Sequence, residues 1–563
     1  MARTSVRVLV AASALALLGA RQPSVVFTHG VACGDVSDSQ VVLWTRTSQP
    51  TSLVPELLDP TTSEVQRSLP PIETTPEADL TVKTLVDGLS PAESLAYRFR
   101  APGGETSPVG ACRTAPPPDQ AAPVTFGFSG DADWKWRPYP LLDALVREPL
   151  DFFFFLGDLI YEDTAPDGSS VAETLDDYRA KYRQNREPRP GSEKPSLQPL
   201  YARFGLYAVF DNHETGNSRA NPSAPPYNEG GAPTGDGAHQ FVNQTAGFEE
   251  RVRAFSEYQP LRDRRVNGTG DPRLDGTRQY FFSQPWGSLA RLIVADDRSY
   301  RDRRLRNSED PEADNPGRTM LGAPQLAWLE DELLAAQQAG VIWKLVVVSS
   351  PIQRIGRASE IGVDLDGSKS WAGGYRVERD RLLKFIDSAG IDNVVFLTTD
   401  NHNTMINNLH YHSVPEDQAS PELPARNAFE ILTGPLGAGA GPPVNVDLAG
   451  LEHRAAERLI GGMLAGRQQA ARIDPIGLEA TFPGLIPDSV VAQGAPSGTV
   501  EPQAFVSFNT YSYAVLSLDG PRLNVRVVGI PIVDFHDLDT PEGLAAYQAE
   551  TAQTILQFAV QAQ

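Results

Sequence analysis

Two different textures of apolar and polar positions divide the chain. Up to about Pro116 the apolar residues come in short runs set off by turn residues. Val41-Val42-Leu43-Trp44-Thr45, Leu80 to Val86 and Tyr97 to Arg100 each read as a strand, so 21–116 is expected to be a small all-β module. Ala115 to Pro123 holds four Pro and reads as a linker, placed at 117–123. Beyond it, short apolar runs alternate with helical periodicity. Val124 to Phe128, Phe152 to Leu156, Leu206 to Phe210, Ala290 to Ala295, Trp343 to Val348 and Asn393 to Thr398 read as buried strands. Leu141 to Arg147, Leu175 to Arg186, Phe248 to Tyr258, Pro324 to Gln338 and Arg379 to Ser388 read as helices, with Leu326, Leu329, Leu333 and Leu334 on one face of the fourth. This alternation predicts an α/β domain over 124–535. Tyr513 to Leu518 and Leu523 to Val528 form a hairpin across Asp519-Gly520. A C-terminal helix is expected in 536–563, starting at Pro541 behind a Thr540 cap. Thr215 to Phe241 reads as a long loop, and the segment between Pro443 and Pro502 has no clear period.

The strand Phe152 to Leu156 organises the rest. Four consecutive Phe leave no polar face, so both of its faces are expected to be covered by helices. It stops at Gly157 and delivers Asp158 and Tyr161, in the region where open α/β sheets collect ligands. Three other strand ends carry comparable groups: Asp131 with Asp133, Asn212 with His213, and Asp400 with His402. Taken singly, each is ordinary turn chemistry, since Asp and Asn favour loops for conformational reasons. Four such ends in one predicted sheet point instead to a metal site. Carboxylate, amide oxygen and phenolate are hard donors, and His402 is the one imidazole placed as a ligand. That set favours Fe³⁺, Mn, Mg or Ca over structural zinc. Two cations sharing a carboxylate, roughly 3.5–4 Å apart, would clamp both oxygens of an in-line displacement at phosphorus.

Charge narrows the partners. With 71 acidic against 49 basic side chains the net charge is −22, and no basic cluster offsets it, so nucleic-acid binding through a basic patch is excluded. A phosphate-bearing substrate needs bound cations to reverse the local field. Residues 1–20 have the form of a signal peptide: Arg3 and Arg7, then apolar Val8 to Leu18, then Leu18-Gly19-Ala20. The apolar run is too short for a stable membrane span. The expected location is therefore secreted, periplasmic or at the cell surface. In that setting Cys33 and Cys112 are candidates for one disulfide, with two buried thiols as the alternative. Leu89-Ser90-Pro91 ahead of Tyr97 has the form of the tyrosine corner of fibronectin- and immunoglobulin-type sandwiches. Arg298 and Arg301 are expected to anchor loops through carboxylates before binding phosphate. His410 and His412 read as strand residues, His29, His239, His453 and His536 as structural ones, and Trp134 and Trp136 as core or pocket wall.

The order of Asp131, Gly157-Asp158-Leu159-Ile160-Tyr161, Asp211-Asn212-His213-Glu214 and Asp400-Asn401-His402 resembles the metallophosphoesterases, and within them the alkaline phosphatase D family, related to the purple acid phosphatases. Gly30 to Asp35 with Val42 to Arg46, Asp296 to Arg301, and Trp371 to Tyr375 before Glu378-Arg379 agree with it, so the resemblance runs from about Phe27 to Val528. It implies an N-terminal fibronectin/Ig-like β-sandwich followed by a four-layer αββα domain. It further implies hydrolysis of phosphate monoesters or diesters by a hydroxide activated by two metals, with a phospholipase D-like diesterase as the nearest alternative and a non-catalytic scaffold as the remaining one. Carried over, Asp158 bridges both metals. Asp131, Tyr161 and His402 complete a first site suited to Fe³⁺, and Asn212 and Asp400 complete a second suited to Ca²⁺, with Mn²⁺ or Mg²⁺ as alternatives. His213 would contact the phosphate and serve the leaving oxygen. This chain departs from the family's frequent Cys at position 131, and Asp133 is the alternative ligand there. It also has Ser349-Ser350-Pro351, without His, where purple acid phosphatases supply one.

Overall fold

The Phe strand, Phe152–Phe155, lies inside a ten-stranded sheet between Val124–Ser129 and Gly205–Ala208, parallel to both. Its side chains alternate between two covers. Phe152 stacks on Phe126 at 4.8 Å between ring centres and meets Trp286 of a second sheet at 4.4 Å. Phe153 and Phe155 pack instead with Leu141, Leu145, Tyr201 and Phe255 from the helices. Helices therefore cover one face only, contrary to the expectation from sequence. A run of Phe requires two apolar covers but does not specify whether a cover is helical or extended. Each fully buried ring contributes about 1.5–3 kcal/mol, whichever element supplies the contact.

The computed structural model describes residues 24–162, 172–194, 196–216, 241–305, 308–354, 357–358, 363–364, 369–439, 491–492, 500–501, 504–507, 510–533 and 535–563. The expected leader 1–20, His239, His453 and most of both Thr215 to Phe241 and Pro443 to Pro502 lie outside the described residues.

The second sheet has eight strands, with Ala290–Val294, Trp343–Val347, Val394–Thr398 and Glu422–Leu432 running parallel. Its inner face shares one core with the ten-stranded sheet, joining Leu292, Leu345, Val395 and Phe429 to Phe126, Phe152 and Leu516. Helices Ala323–Gln338 and Arg376–Ser388 cover its outer face through Leu329, Leu333, Leu382 and Ile386. The layers are helices, sheet, sheet, helices, as αββα requires.

The N-terminal module is built into this frame. Phe27–Gly34, Val41–Thr47 and Thr81–Val86 extend the ten-stranded sheet, with Phe27–Gly34 parallel to Gly205–Ala208. The strands Val65–Ser68, Thr51–Leu58, Ser94–Arg100 and Gly110–Arg113 form the other layer, with Ile72–Thr74 paired to Thr51–Leu58. A Cys33–Cys112 disulfide joins the two layers across 79 residues of chain. The boundary near 116 is thus a boundary of sequence, while the backbone ladder crosses it. The tyrosine corner does not form. Tyr97 is buried, yet its hydroxyl has no hydrogen-bond partner among the described residues, and its ring packs so closely on Gly110 that a Cβ there would lie 2.3 Å away.

The C-terminal segment 536–563 is not helical throughout. Helix Pro541–Gln548 starts as expected, with the Thr540 hydroxyl accepting from the Gly543 N–H at 3.1 Å. The chain then returns as a strand, Gln553–Gln561, antiparallel to Arg522–Pro531. An unpaired hairpin edge offers backbone donors and acceptors that need partners, and Ile555, Leu556, Phe558 and Val560 are buried by pairing there.

Candidate metal centre

The polar groups at the strand ends are held by strained backbone. Asp131 (φ 59°), Asp158 (49°), Asp400 (74°) and His402 (51°) all occupy the left-handed region. Such residues persist only where their surroundings over-determine them, and they concentrate at functional sites. The surroundings here are specific. Gly157 has φ 99°, and a Cβ on it would lie 2.6 Å from Asp211 Cβ, so only glycine lets the Phe strand turn beside the next strand end. Glu214 accepts from the backbone N–H of Asp158 at 3.0 Å, of Leu159, and of Asp211 at 2.8 Å. The Asn185 amide donates to the carbonyls of Ala132 and Leu159. Two adjacent strand ends are thereby fixed to each other.

This brings the expected ligands into two groups. Candidate ligand atoms of Asp131, Asp158 and His402 lie within 4.8 Å of one another, and so do those of Asp158, Asp211 and Asp400. Asp158 belongs to both. Tyr161 Oη is 2.8 Å from His402 Nε2, which is 3.3 Å from Asp131 Oδ1. His402 Nδ1 donates to the Gly439 carbonyl, which fixes the tautomer and aims Nε2 inward. The alternative ligand Asp133 is otherwise engaged: it caps the short helix Trp134–Trp136, accepting from the Lys135 N–H at 3.0 Å. Asn212 joins the second group through Lys369, whose ammonium donates to Asn212 Oδ1 at 2.8 Å and also to Asp400.

Five polar side chains at the site were not assigned from sequence: Asp211, Lys369, Glu162, Glu214 and Asn185. Asp211 and Glu214 flank the Asn212-His213 pair and form a capping box on the short helix Asn212–Thr215. Lys369 follows a Gly-Ser step with no period to mark it, and Asn185 ends a helix far along the chain. Glu162 directly follows Tyr161. Its carboxylate lies 2.5 Å from His213 Nδ1, so that nitrogen carries the proton and Nε2 faces Asp158 Oδ2 at 4.0 Å. The backbone N–H of His213 donates to Asp158 Oδ1 at 2.9 Å, and its ring lies 4.0 Å from that of Tyr161. Arg298 is fully buried and pairs with Asp211 and Asp400, the loop-anchoring role expected for it.

Electrostatics separate the two groups. Burial pushes the Asp158 carboxyl well above the usual range, with Asp211, Glu214 and Asp131 adding to it and His213 opposing. The Tyr161 phenol is raised by burial and then by Asp131 and Asp158. Burial would also raise Asp400, yet Lys369 and Arg298 reverse this and hold it at about 2. Asp211 rises to about 7 through burial, against Arg298. Among the described residues, the four buried carboxylates of the two groups thus face Lys369 and Arg298, both at the second group. Among the described residues, Asp131 Oδ1 and Asp211 Oδ2 are buried without a hydrogen-bond partner. Buried oxygens in that condition are costly unless a cation completes them, so the donor set fits hard metal ions.

The chain is similar to known proteins in both sequence and fold. Residues 126–462 match the family model for PhoD-like phosphatase, and residues 11–116 match that for its N-terminal domain. The chain is 30% identical over 420 residues to alkaline phosphatase D of Bacillus subtilis (strain 168), a match covering 68% of this chain and 66% of that relative, just under two thirds of its length. A solved structure described as that of PhoD superposes with a TM-score of 0.67 at 23% identity, covering 95% of this chain and 90% of the other. A purple acid phosphatase from yellow lupin (Lupinus luteus) seeds gives 0.50 at 10% identity, covering 95% and 75%. These two likenesses concern the fold.

Proposed function

The chain belongs to the PhoD-like phosphatase family, and from that premise we propose that it is a metal-dependent hydrolase of small phosphoesters, monoesters or diesters. The carrying observation is that Asp158 belongs to both ligand groups, as a carboxylate shared by two cations must. Asp131, Asp158, Tyr161 and His402 would hold one cation, and Asp158, Asn212 and Asp400 the other. Iron(III) and calcium are the pair that the resemblance implies, and manganese or magnesium also suits the oxygen-rich second group. When bound, the cations supply Lewis acidity at the phosphoryl group and acidify a water.

The chain's own residues do the remaining work. His213 Nε2 looks into the cluster from its edge and would hold a proton toward the leaving oxygen, as histidine does at near-neutral pH. Glu162 keeps Nδ1 protonated and stabilises the imidazolium. Lys369 and Arg298 lower the repulsion that an anionic substrate meets from Asp400 and Asp211. Work outside the cytoplasm is supported by the leader-like 1–20 and the disulfide. No helix among the described residues is long and apolar enough to cross a membrane.

Metal analysis of wild-type protein and Asp158→Asn, with hydrolysis of p-nitrophenyl phosphate and of its bis ester, tests the reading. The wild type is expected to carry metal and cleave at least one ester, and Asp158→Asn to lose metal and rate together. A wild type that stays metal-free and inert after iron and calcium addition would refute it. Cleavage of the bis ester alone would assign a diesterase.

A further inference from the structure

The second ligand group already holds cationic side chains. Asp400 is engaged on both oxygens, Oδ1 by the Lys369 ammonium and Oδ2 by Arg298 at 3.3 Å. The same ammonium lies 2.8 Å from Asn212 Oδ1. The two oxygens that Lys369 Nζ contacts are thus oxygens that would hold the second metal ion. The first group differs. Among the described residues, Asp131 and Asp158 form ion pairs with His402 and His213, and neither meets a lysine or an arginine.

Fixed backbone delivers Lys369 to this position. Its carbonyl accepts from Arg298 and Arg301, each at 3.3 Å and each fully buried. The next residue, Ser370, caps the short helix Trp371–Gly374, its hydroxyl accepting from the Gly373 N–H at 3.1 Å. With the main chain anchored, motion is left to the flexible side chain. The two cationic side chains differ in this respect. Arg298 is fully buried and also pairs with Asp211, so withdrawing it would strand a buried charge. The Lys369 side chain is 26% exposed, and its ammonium has a route to water.

An ammonium has three donors and no acceptor, so it competes with a metal ion for these oxygens and cannot join it as a ligand. A calcium ion on Asn212 Oδ1 would lie about 2.3–2.6 Å from that oxygen, and no more than about 5.4 Å from an ammonium left in place. Like charges that close repel, so metal binding and retention of the ion pair oppose each other. We propose that Lys369 is a displaceable occupant of the second cation position, and that its ion pair with Asp400 sets how tightly a divalent ion binds there. Given the two-cation reading on which this rests, the first group retains its ion and the second exchanges.

The test is equilibrium dialysis of full-length wild type, Lys369→Ala and Lys369→Arg against calcium and, separately, manganese. Lys369→Ala is expected to bind the second ion at least about tenfold more tightly than wild type, the equivalent of one hydrogen bond to a charged group. Lys369→Arg keeps the charge and is expected to bind it as weakly as wild type. Saturating calcium should also release the wild-type ammonium, raising acetylation of Lys369 severalfold in peptide mass spectra. Equal affinity in wild type and Lys369→Ala would overturn the proposal and leave the two-cation reading standing. Tightening in Lys369→Arg equal to that in Lys369→Ala would also overturn it, as would acetylation unchanged by bound calcium. Failure of wild type and Lys369→Ala alike to bind either metal at a second position would overturn both the proposal and that reading.

Discussion

Glu162→Gln tests the chemistry most directly, because it alters a group that touches His213 and belongs to neither ligand group. Glu162 is buried, and its carboxylate lies 2.5 Å from His213 Nδ1. Gln keeps the shape and one acceptor oxygen but removes the charge that favours the imidazolium. A hydrogen bond to a charged group contributes about 1.5–3 kcal/mol, and each 1.36 kcal/mol is tenfold in rate. If that stabilisation is realised mainly as the proton moves to the leaving oxygen, kcat should fall roughly 10- to 150-fold. The loss should be larger for phenyl phosphate than for p-nitrophenyl phosphate, because the poorer leaving group depends more on proton donation. The assay is kcat and KM on both esters, with metal content measured on the same preparations. Equal losses on the two esters, or loss of metal alongside loss of rate, would refute the role given to the pair.

Gly157→Ala should destabilise the protein by about 2 kcal/mol or more, since φ is 99° and the new Cβ would meet Asp211 at 2.6 Å; a urea midpoint equal to wild type would contradict the crowding. Replacing Cys33 and Cys112 by Ser opens a loop of 79 residues, for which chain entropy predicts a loss of about 4.5 kcal/mol, read from denaturant unfolding with and without reductant. Glu378 accepts from Thr319, Met320 and Leu321, and burial lifts its carboxyl from 4.5 to about 7 despite those bonds. Between these values the folded state holds a proton that the unfolded state has released, so this group lowers stability as pH rises from about 4.5 to 7. Glu378→Gln should flatten that part of the stability–pH curve, and an unchanged slope would show that the carboxyl titrates as it does in water.

Much of the site was legible because its signal is local. A strand that ends in Gly-Asp or Asp-Asn-His announces both its burial and its terminal chemistry within a few residues, and Asp158, Asp400 and His402 were found that way. Glu162 went unassigned although it directly follows Tyr161. Its meaning depends on His213, 51 residues later, and no period links the two. Lys369 was harder still. Its function is to offset charge on Asp400, which is 31 residues away.

The sequence by itself determined the alternation of strands and helices, the order of the candidate ligands along the chain, their hard-donor character and the pair of cysteines available to bond. These follow from side-chain type and from periods of a few residues. Only the tertiary structure decided that a second sheet, not helices, covers Phe152 and Phe154, that the last nine-residue strand closes the hairpin edge, and that Asp131 faces the cluster while Asp133 caps a helix. Each of those outcomes depends on which surface arrives from a distant part of the chain. Burial requires a cover and a buried charge requires a partner, but neither requirement names the residue that meets it.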